Sequence, residues 1–386
     1  MSRKQIGIIV LVAAVITGTI FYFTSWRQTL RNKNVKQIQV DGIKEQTGPL
    51  NTGPVSPVSG LSCENWNKRP VAVMQPADVQ ARPAAGFSEA DMVIEMPAFT
   101  GSVTRLMGVY ICNIPKEIGA IRSSRHDYIA LAAGLDAFFI HWGGSHFALD
   151  LLKEKVIDNL DCMSSNLCER WPVAGKMRLE DTGHITKENV LTAMSNMKLR
   201  NESSFAGYAH QQEASLDQRP TGGHLRVAFK KPYDTEFDYD KETNTFIRTW
   251  GEELDTDRNN NQKIAPKNVA VLIASSSQIT TEQDYSGLSD PWKNVEEIKK
   301  TGVESISGRY NNVEIGDPWY DRSDSGDAYY YFNGKETKGS WKKDRSKLNS
   351  KLFFLDEQGQ EIKFVPGQIW VDILEPGQAL KWVPSN

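Results

Sequence analysis

Apolar positions along this chain fall into three regimes. Across residues 6–23 (IGIIVLVAAVITGTIFYF) they are almost unbroken and no residue is charged. About 18 such residues at 1.5 Å each nearly span a ~30 Å hydrocarbon core, so residues 1–26 are expected to form one N-terminal transmembrane helix. Arg3 and Lys4 give it a basic head, and Tyr22 and Trp26 stand where amphipathic aromatics meet headgroups. Arg27, Arg31, Lys33 and Lys36 follow closely, so the count of positive charges does not decide orientation. The short head and the long chain behind it favour a signal anchor, with a cleaved signal peptide as the competing reading. Residues 27–62 then turn polar, and Gly, Pro, Ser and Thr dominate 46–60, the composition of a flexible linker.

In the second regime, residues 63–205, short apolar runs alternate with helical spacing. Runs at 70–74, 90–96, 103–112 and 136–142 are bounded by Gly, Pro or polar residues and predict strands. Residues 123–133, 146–156 and 186–197 predict helices, the last with Thr186 as N-cap. Strands alternating with helices imply an α/β domain. The third regime, residues 220–386, contains only strand-like runs, at 225–229, 245–250, 269–275, 328–332, 351–355, 362–365 and 369–373. Asn333-Gly334 and the Asp356–Gly359 stretch mark hairpin turns, so this half is expected to be a mainly antiparallel β domain, a barrel or a sandwich. The fold class expected is therefore α+β multidomain behind one membrane helix.

A charged fraction of 24% and a net charge of -3 argue against disorder and against a nucleic-acid-binding surface. Four cysteines in a chain expected outside the cytosol suggest disulfides. Cys162 and Cys168 are close enough to close a short loop, which would leave Cys63 and Cys112, although three connectivities are open. No Cys-x-x-Cys pair and no His at ligand spacing supports zinc, and no metal or cofactor is expected. The Asp/Asn run at 255–261 lacks the Gly and the Glu of a calcium-binding loop, so a solvated turn is expected. Aromatics crowd residues 319–341, more in keeping with a sheet core than with a sugar-stacking face.

Two strand-to-helix turns carry the clearest chemistry. One is Gly143-Gly144-Ser145 after His141, where amides at a helix start could meet an anion. The other, GAIRSSR at 119–125, brings Arg122, Ser123 and Arg125 to a second helix start, where guanidinium groups can hold a carboxylate or phosphate. Arg82 and Arg105 are further candidates, and Glu89, Asp91 and Glu95 are either their ion-pair partners or acids for catalysis. The bland alternative is that glycine and serine merely open helices and that the arginines pair with these acids. No nucleophile elbow, phosphate-binding loop or zinc-protease helix occurs.

The runs RPVAVM (69–74), ARPAAGFSEAD (81–91), TRL (104–106), IGAIRSSR (118–125) and HWGGS (141–145), with SGDA (325–328), GSWKK (339–343) and PGQIW (366–370), resemble the YerB-like family of bacterial lipoproteins. The resemblance implies two domains, a cell-envelope location and no assigned activity. That family typically anchors through a lipidated cysteine, whereas no cysteine lies in or just after the apolar run here. The expected function is an extracytoplasmic binding or regulatory protein of the cell envelope. Its partner would be a cell-wall glycan, a phosphorylated sugar or an envelope protein, bound by Arg82, Glu89, Asp91, Glu95, Arg105, Arg122, Ser123, Arg125, His141, Gly143, Gly144 and Ser145. The alternative is a hydrolase or transferase acting on envelope polymers.

If residues 6–23 are an uncleaved anchor, fractionated membranes will hold the intact protein through a high-salt wash and release it in detergent. Protein cut near Trp26 and free in the medium would identify a cleaved signal instead.

Overall fold

The computed structural model describes residues 53–99, 103–279 and 311–385. The expected membrane helix and most of the expected linker lie outside these residues. Among the described residues no helix is long and apolar enough to cross a membrane.

The first half supplies β1 (Val71–Pro76), β2 (Met92–Pro97), β3 (Thr104–Tyr110), β4 (Glu117–Gly119), β5 (Phe138–His141), β6 (Asn159–Asp161), β7 (Glu169–Arg170) and β8 (Gly183–Thr186). Its helices are α1 (His126–Gly134), α2 (His146–Lys153) and α3 (Lys187–Asn196). The second half begins with β9 (Gly222–Val227), β10 (Thr235–Asp240), β11 (Thr245–Trp250), β12 (Glu253–Leu254), β13 (Asn268–Ile273) and β14 (Ser276–Gln278). It continues with β15 (Asn311–Val313), β16 (Ser325–Phe332), β17 (Lys335–Lys342), β18 (Phe353–Asp356), β19 (Ile369–Leu374) and β20 (Leu380–Ser385). The fold is α+β, rich in strands and with few helices.

A ten-stranded sheet crosses both halves in the order β18-β17-β16-β13-β19-β2-β3-β1-β5-β6. The halves join where β19 pairs in parallel with β2, Ile369 opposite Met92 and Asp372 opposite Glu95. This corrects the expectation of a second half closed on itself as an antiparallel barrel or sandwich: β13 and β19 are parallel, and both belong to the shared sheet. Strands β12-β11-β10-β9-β20 form a separate antiparallel sheet of five, and β14-β15 a separate antiparallel pair.

The strand sequences explain the layering. β1, β2, β13 and β19 are buried at all or nearly all positions, as strands covered on both faces must be. On one face, Tyr128, Ile129 and Leu131 of α1 and Leu151 of α2 share a core with Met74, Ile94 and Val371. On the other, Leu225, Phe237 and Phe246 of the five-stranded sheet and Val190 of α3 share a core with Val73, Val93 and Trp370. β10 and β11 alternate buried with more exposed positions because only one of their faces is covered. Tyr330, Tyr331 and Trp341 are buried, so the aromatic run at 319–341 belongs largely to the core.

Local signals were obeyed closely. Thr186 Oγ1 accepts the Asn189 amide at the start of α3, and Asn333 and Gly334 both take positive φ (53° and 66°) in the two-residue turn from β16 to β17. Residues 362–365 do not join a ladder. The Asn268 side chain brackets Val365 instead, donating to its carbonyl at 2.8 Å and accepting its amide at 2.9 Å. Disulfides link Cys162 to Cys168 and Cys63 to Cys112.

Residues 53–62 correct the linker reading. Val58 is fully buried, and the Ser56 and Ser59 hydroxyls donate to Asp91 Oδ1 at 2.7 and 2.6 Å. Gly60 turns the chain at φ 67° against the His210 ring. Small turn-forming residues here build a tight, anchored bend; the same composition without an acceptor such as Asp91 would remain a tether.

One buried ion cluster ties the halves together. Arg248 of β11 is fully buried between the Trp250 and Trp370 rings, 4.5 and 4.3 Å from their centroids. Its guanidinium donates to Glu95 Oε2 at 2.7 Å and pairs with the Asp255 carboxylate. Glu95 Oε1 accepts from Thr104 Oγ1 at 2.6 Å. Asp372 lies beside Glu95, and burial, reinforced by the Glu95 charge, holds its carboxyl well above the usual carboxylate range.

Replacing Arg248 by Met would leave Glu95 and Asp255 buried without their cation, a loss of about 3–5 kcal/mol. Urea unfolding should register it as one lowered transition, because the halves share a sheet. An unchanged midpoint, or two separated transitions in the parent protein, would contradict this account.

Candidate functional site

The direction of the strands locates the site. β1 and β5 are parallel, β2, β19 and β13 are parallel, and β3 runs antiparallel to both β1 and β2. The carboxyl ends of β1, β2, β5, β13 and β19 therefore lie along one edge, the edge where open α/β sheets take ligands. Asp78 follows β1 at this edge, Phe99 follows β2, and Arg105 is the second residue of β3.

The two turns singled out in the sequence meet there. The Trp142 amide donates to the Arg122 carbonyl at 3.0 Å, Ser124 N to Gly143 O at 2.9 Å, and Ser145 N to Ser124 O at 3.2 Å. This lacing fixes the segment that carries Arg122, Ser123 and Arg125 into α1.

Four arginines and three acids converge. Asp78 lies 3.6 Å from Arg105, 3.7 Å from Arg122 and 3.3 Å from Arg178. Fully buried Asp181 lies 3.4 Å from Arg122 and 2.7 Å from Arg178, and Glu180 lies 3.7 and 3.5 Å from the same pair. Arg125 differs from the rest. It is buried, its Nη1 donates to the Ser124 carbonyl at 2.8 Å, its guanidinium faces the Phe99 ring at 5.5 Å, and among the described residues it forms no ion pair. Burial, with the charges of Arg105 and Arg122 beside it, pushes its guanidinium down to about 9. Burial lowers Arg105 as well, against the pull of Asp78.

Hydrogen bonding in the cluster is incomplete. Among the described residues fifteen buried side-chain nitrogen or oxygen atoms have no hydrogen-bond partner, and six are here: Nε of Arg105, Arg122 and Arg125, Nη2 of Arg178, Oδ2 of Asp78 and Oδ1 of Asp181. Buried polar atoms are ordinarily paired, and four of these six are guanidinium nitrogens, donors that a further acceptor would satisfy. A carboxylate or phosphate oxygen is the matching group, since guanidinium forks bind both in bidentate fashion.

The other expected site residues go elsewhere. Arg82 stacks on Trp250 at 3.7 Å and donates to its carbonyl, and burial pushes its guanidinium down to about 10. Glu89 accepts from Asn113 at 2.5 Å. Asp91 is saturated by Ser56, Ser59 and the Ile111 and Cys112 amides, and Glu95 by Thr104 and Arg248. These three acids are thus not the partners of Arg122 and Arg125. His141 is buried and bridges Gly143 O and Asn159 Oδ1 at 2.8 and 3.2 Å. The amide of Gly143 donates to Asp161 at 2.8 Å, and Ser145 Oγ caps α2 through Ala148 N. The Gly143 and Ser145 amides are thus taken by protein acceptors, and the turn supports the arginine segment. Asp257, in the Asp/Asn run, accepts from Gly86 N, Ser88 N, Ser88 Oγ and Asn259 N, which is a turn held by protein donors.

The acids that do converge, Asp78 and Asp181, and Arg178 were not anticipated. Arg178 and Asp181, three apart, carried a weak local signal of an ion pair; Asp78 carried one only through its place at the end of a strand.

Two family models match the chain: the N-terminal domain of a protein of unknown function (DUF3048) over residues 58–204, and its C-terminal domain over 225–371. The chain is 25% identical over 334 residues to the "Putative lipoprotein YerB" of Bacillus subtilis (strain 168), covering 83% of this chain and 86% of that one. The crystal structure of YerB protein from Bacillus subtilis matches with a TM-score of 0.67 and 21% identity, over 85% of this chain and 99% of that one.

Asp78→Asn would leave Arg105 without its counter-charge and weaken the pairing of Arg122 and Arg178. The expected cost is about 1–3 kcal/mol in urea unfolding. An unaltered midpoint would show that the arginines do not depend on Asp78.

Proposed function

The chain belongs to the YerB-like two-domain family, and from that premise we propose that it is a membrane-anchored, extracytoplasmic protein that binds an anionic group of the cell envelope at the arginine cluster. Three features support the location: the apolar run at 6–23, two disulfides, which suit an oxidising compartment, and a relative described as a lipoprotein. The observation that carries the binding role is Arg125, a buried cation at the carboxyl edge of the sheet that has no ion pair among the described residues. Burying an uncompensated guanidinium is costly, and at neutral pH the charged form weighs against folding because its affinity for the proton is lowered. That contribution becomes less unfavourable only as pH rises above about 9. An incoming carboxylate or phosphate reverses the penalty. Arg105, Arg122 and Arg178 are already shared with Asp78 and Asp181, so they position the anion while Arg125 supplies the unmatched charge. Ligands of this class include the carboxylates of cell-wall peptides and the phosphates of wall polymers.

Calorimetric titration of the detergent-solubilised chain with muropeptides and phosphorylated sugars tests the reading. Arg125→Met should cut affinity by at least tenfold while the melting temperature of the ligand-free protein holds or rises. Undiminished binding by this variant, or no binding by the parent protein to any of these probes, would overturn the assignment.

A further inference from the structure

Directly after Arg125, the first turn of α1 presents His126 and Asp127 to a second buried polar cluster, built with residues from β15 and the loop after it. His126, Asp127 and Asp317 are 1%, 2% and 0% exposed. His126 Nε2 lies 3.4 Å from Asp127 Oδ1 and 3.8 Å from Asp317 Oδ2, and the three atoms are within 4.8 Å of one another. Asn312 Oδ1 is 2.9 Å from the same nitrogen. Donors ~2.0–2.1 Å from a shared tetrahedral ion stand roughly 3.4 Å apart, close to the two distances from His126 Nε2 to the carboxylate oxygens.

Two further observations point to a cation. Asp317 Oδ1 is occupied by the Trp319 and Tyr320 amides at 2.7 and 2.9 Å, but Oδ2, fully buried and turned towards His126, accepts no hydrogen bond. The cluster is also rich in acids. Asp127, whose Oδ1 accepts the Val313 amide at 2.7 Å, Asp317 and neighbouring Asp321 are three buried carboxyl groups, and the nearby cations are Lys343, whose Nζ donates to the Leu348 carbonyl, and Arg125, the residue before His126. Such a concentration of carboxyl groups in a buried site suits a bound cation. Asp321 has the place of an outer partner: its Oδ1 accepts from Asn312 Nδ2 at 3.0 Å, which keeps the amide oxygen of Asn312 on His126, and its Oδ2 accepts the Gly316 and Asp317 amides at 2.5 and 2.8 Å.

We propose that His126, Asp127 and Asp317, with Asn312 Oδ1 as fourth donor, form a structural site for one divalent transition cation, zinc on the basis of the mixed nitrogen and oxygen donors and their spacing. The ion clasps residues 311–321 to the first turn of α1. It thereby fixes the helix start next to Arg125, so the site is a structural support for the arginine cluster but does not depend on what that cluster binds.

The test uses the full chain purified in detergent. Its metal content is measured by mass spectrometry as isolated, after dialysis against a strong chelator, and after return of zinc, manganese, calcium or magnesium one at a time. The expected result is one tightly held zinc per chain and a melting temperature several degrees lower in the stripped protein, restored by zinc and not by magnesium or calcium. Asp317→Asn keeps an acceptor for the Trp319 and Tyr320 amides but removes the unmatched charge; it should lose the metal and melt where the stripped parent melts. His126→Gln serves as a second variant should the first fail to fold. Metal-free parent protein that takes up no ion with measurable stabilisation, restoration by calcium or magnesium in preference to zinc, or variants that retain zinc stoichiometrically would each overturn the proposal.

Discussion

The contact on which the architecture depends is the parallel pairing of β19 with β2, with the buried Arg248 cluster beside it. A parallel join cannot be made by a hairpin; it requires a long connection, and here the chain travels from residue 97 to residue 369 before the two strands meet. Because the pairing places Asp372 opposite Glu95, two carboxyl groups are forced together inside the protein. Arg248, held between two tryptophan rings, makes that tolerable by neutralising Glu95, and the remaining acid favours its protonated form. A polar cluster of this kind contributes little net stability compared with apolar packing of the same volume. What it adds here is selectivity of register: sliding β19 by one residue would turn Asp372 to the opposite face and bury its carboxyl among apolar side chains.

The sheet in turn organises the site. Strands pointing the same way end along one edge, and their loops bring Asp78, Phe99, Arg105 and the 122–125 turn together although they are far apart in sequence. The cluster is held from behind by main-chain hydrogen bonds and from the side by acids, yet it stays electrostatically unfinished at Arg125. Structural ion-pair networks usually balance their own charges; among the described residues this one has a cation in excess.

Local chemistry was far more legible in the sequence than long-range assembly. The Thr186 cap, the Asn333-Gly334 turn and the runs at 70–74, 90–96 and 245–250 are written in adjacent residues and appear where expected. The shared sheet was not legible, because an apolar strand such as 369–373 looks the same whether its neighbour comes from its own half or the other. Arg122 and Arg125 were recognised from their helix start, but the acids assigned to them were wrong: Glu89, Asp91 and Glu95 are near in sequence, whereas Asp78 and Asp181 are near in space. Spacing rules are also blind to a grouping such as Asp127 and Asp317, which stand 190 residues apart in the chain. The seam between tether and fold was misplaced for a related reason, since nothing in the segment 53–62 announces that Asp91 will receive Ser56 and Ser59.

That seam has a geometric consequence. Asp91 immediately precedes β2, and Cys112, which bonds Cys63, lies just beyond the end of the antiparallel β3, so both fastenings grip the incoming chain at the amino edge of the parallel strands. The arginines occupy the opposite rim. Six residues of strand separate the two, roughly 20 Å at 3.3 Å per residue. Load applied through the incoming chain would therefore be taken up by the Ser56, Ser59 and Cys63 fastenings without passing through the loops that hold Arg122 and Arg125.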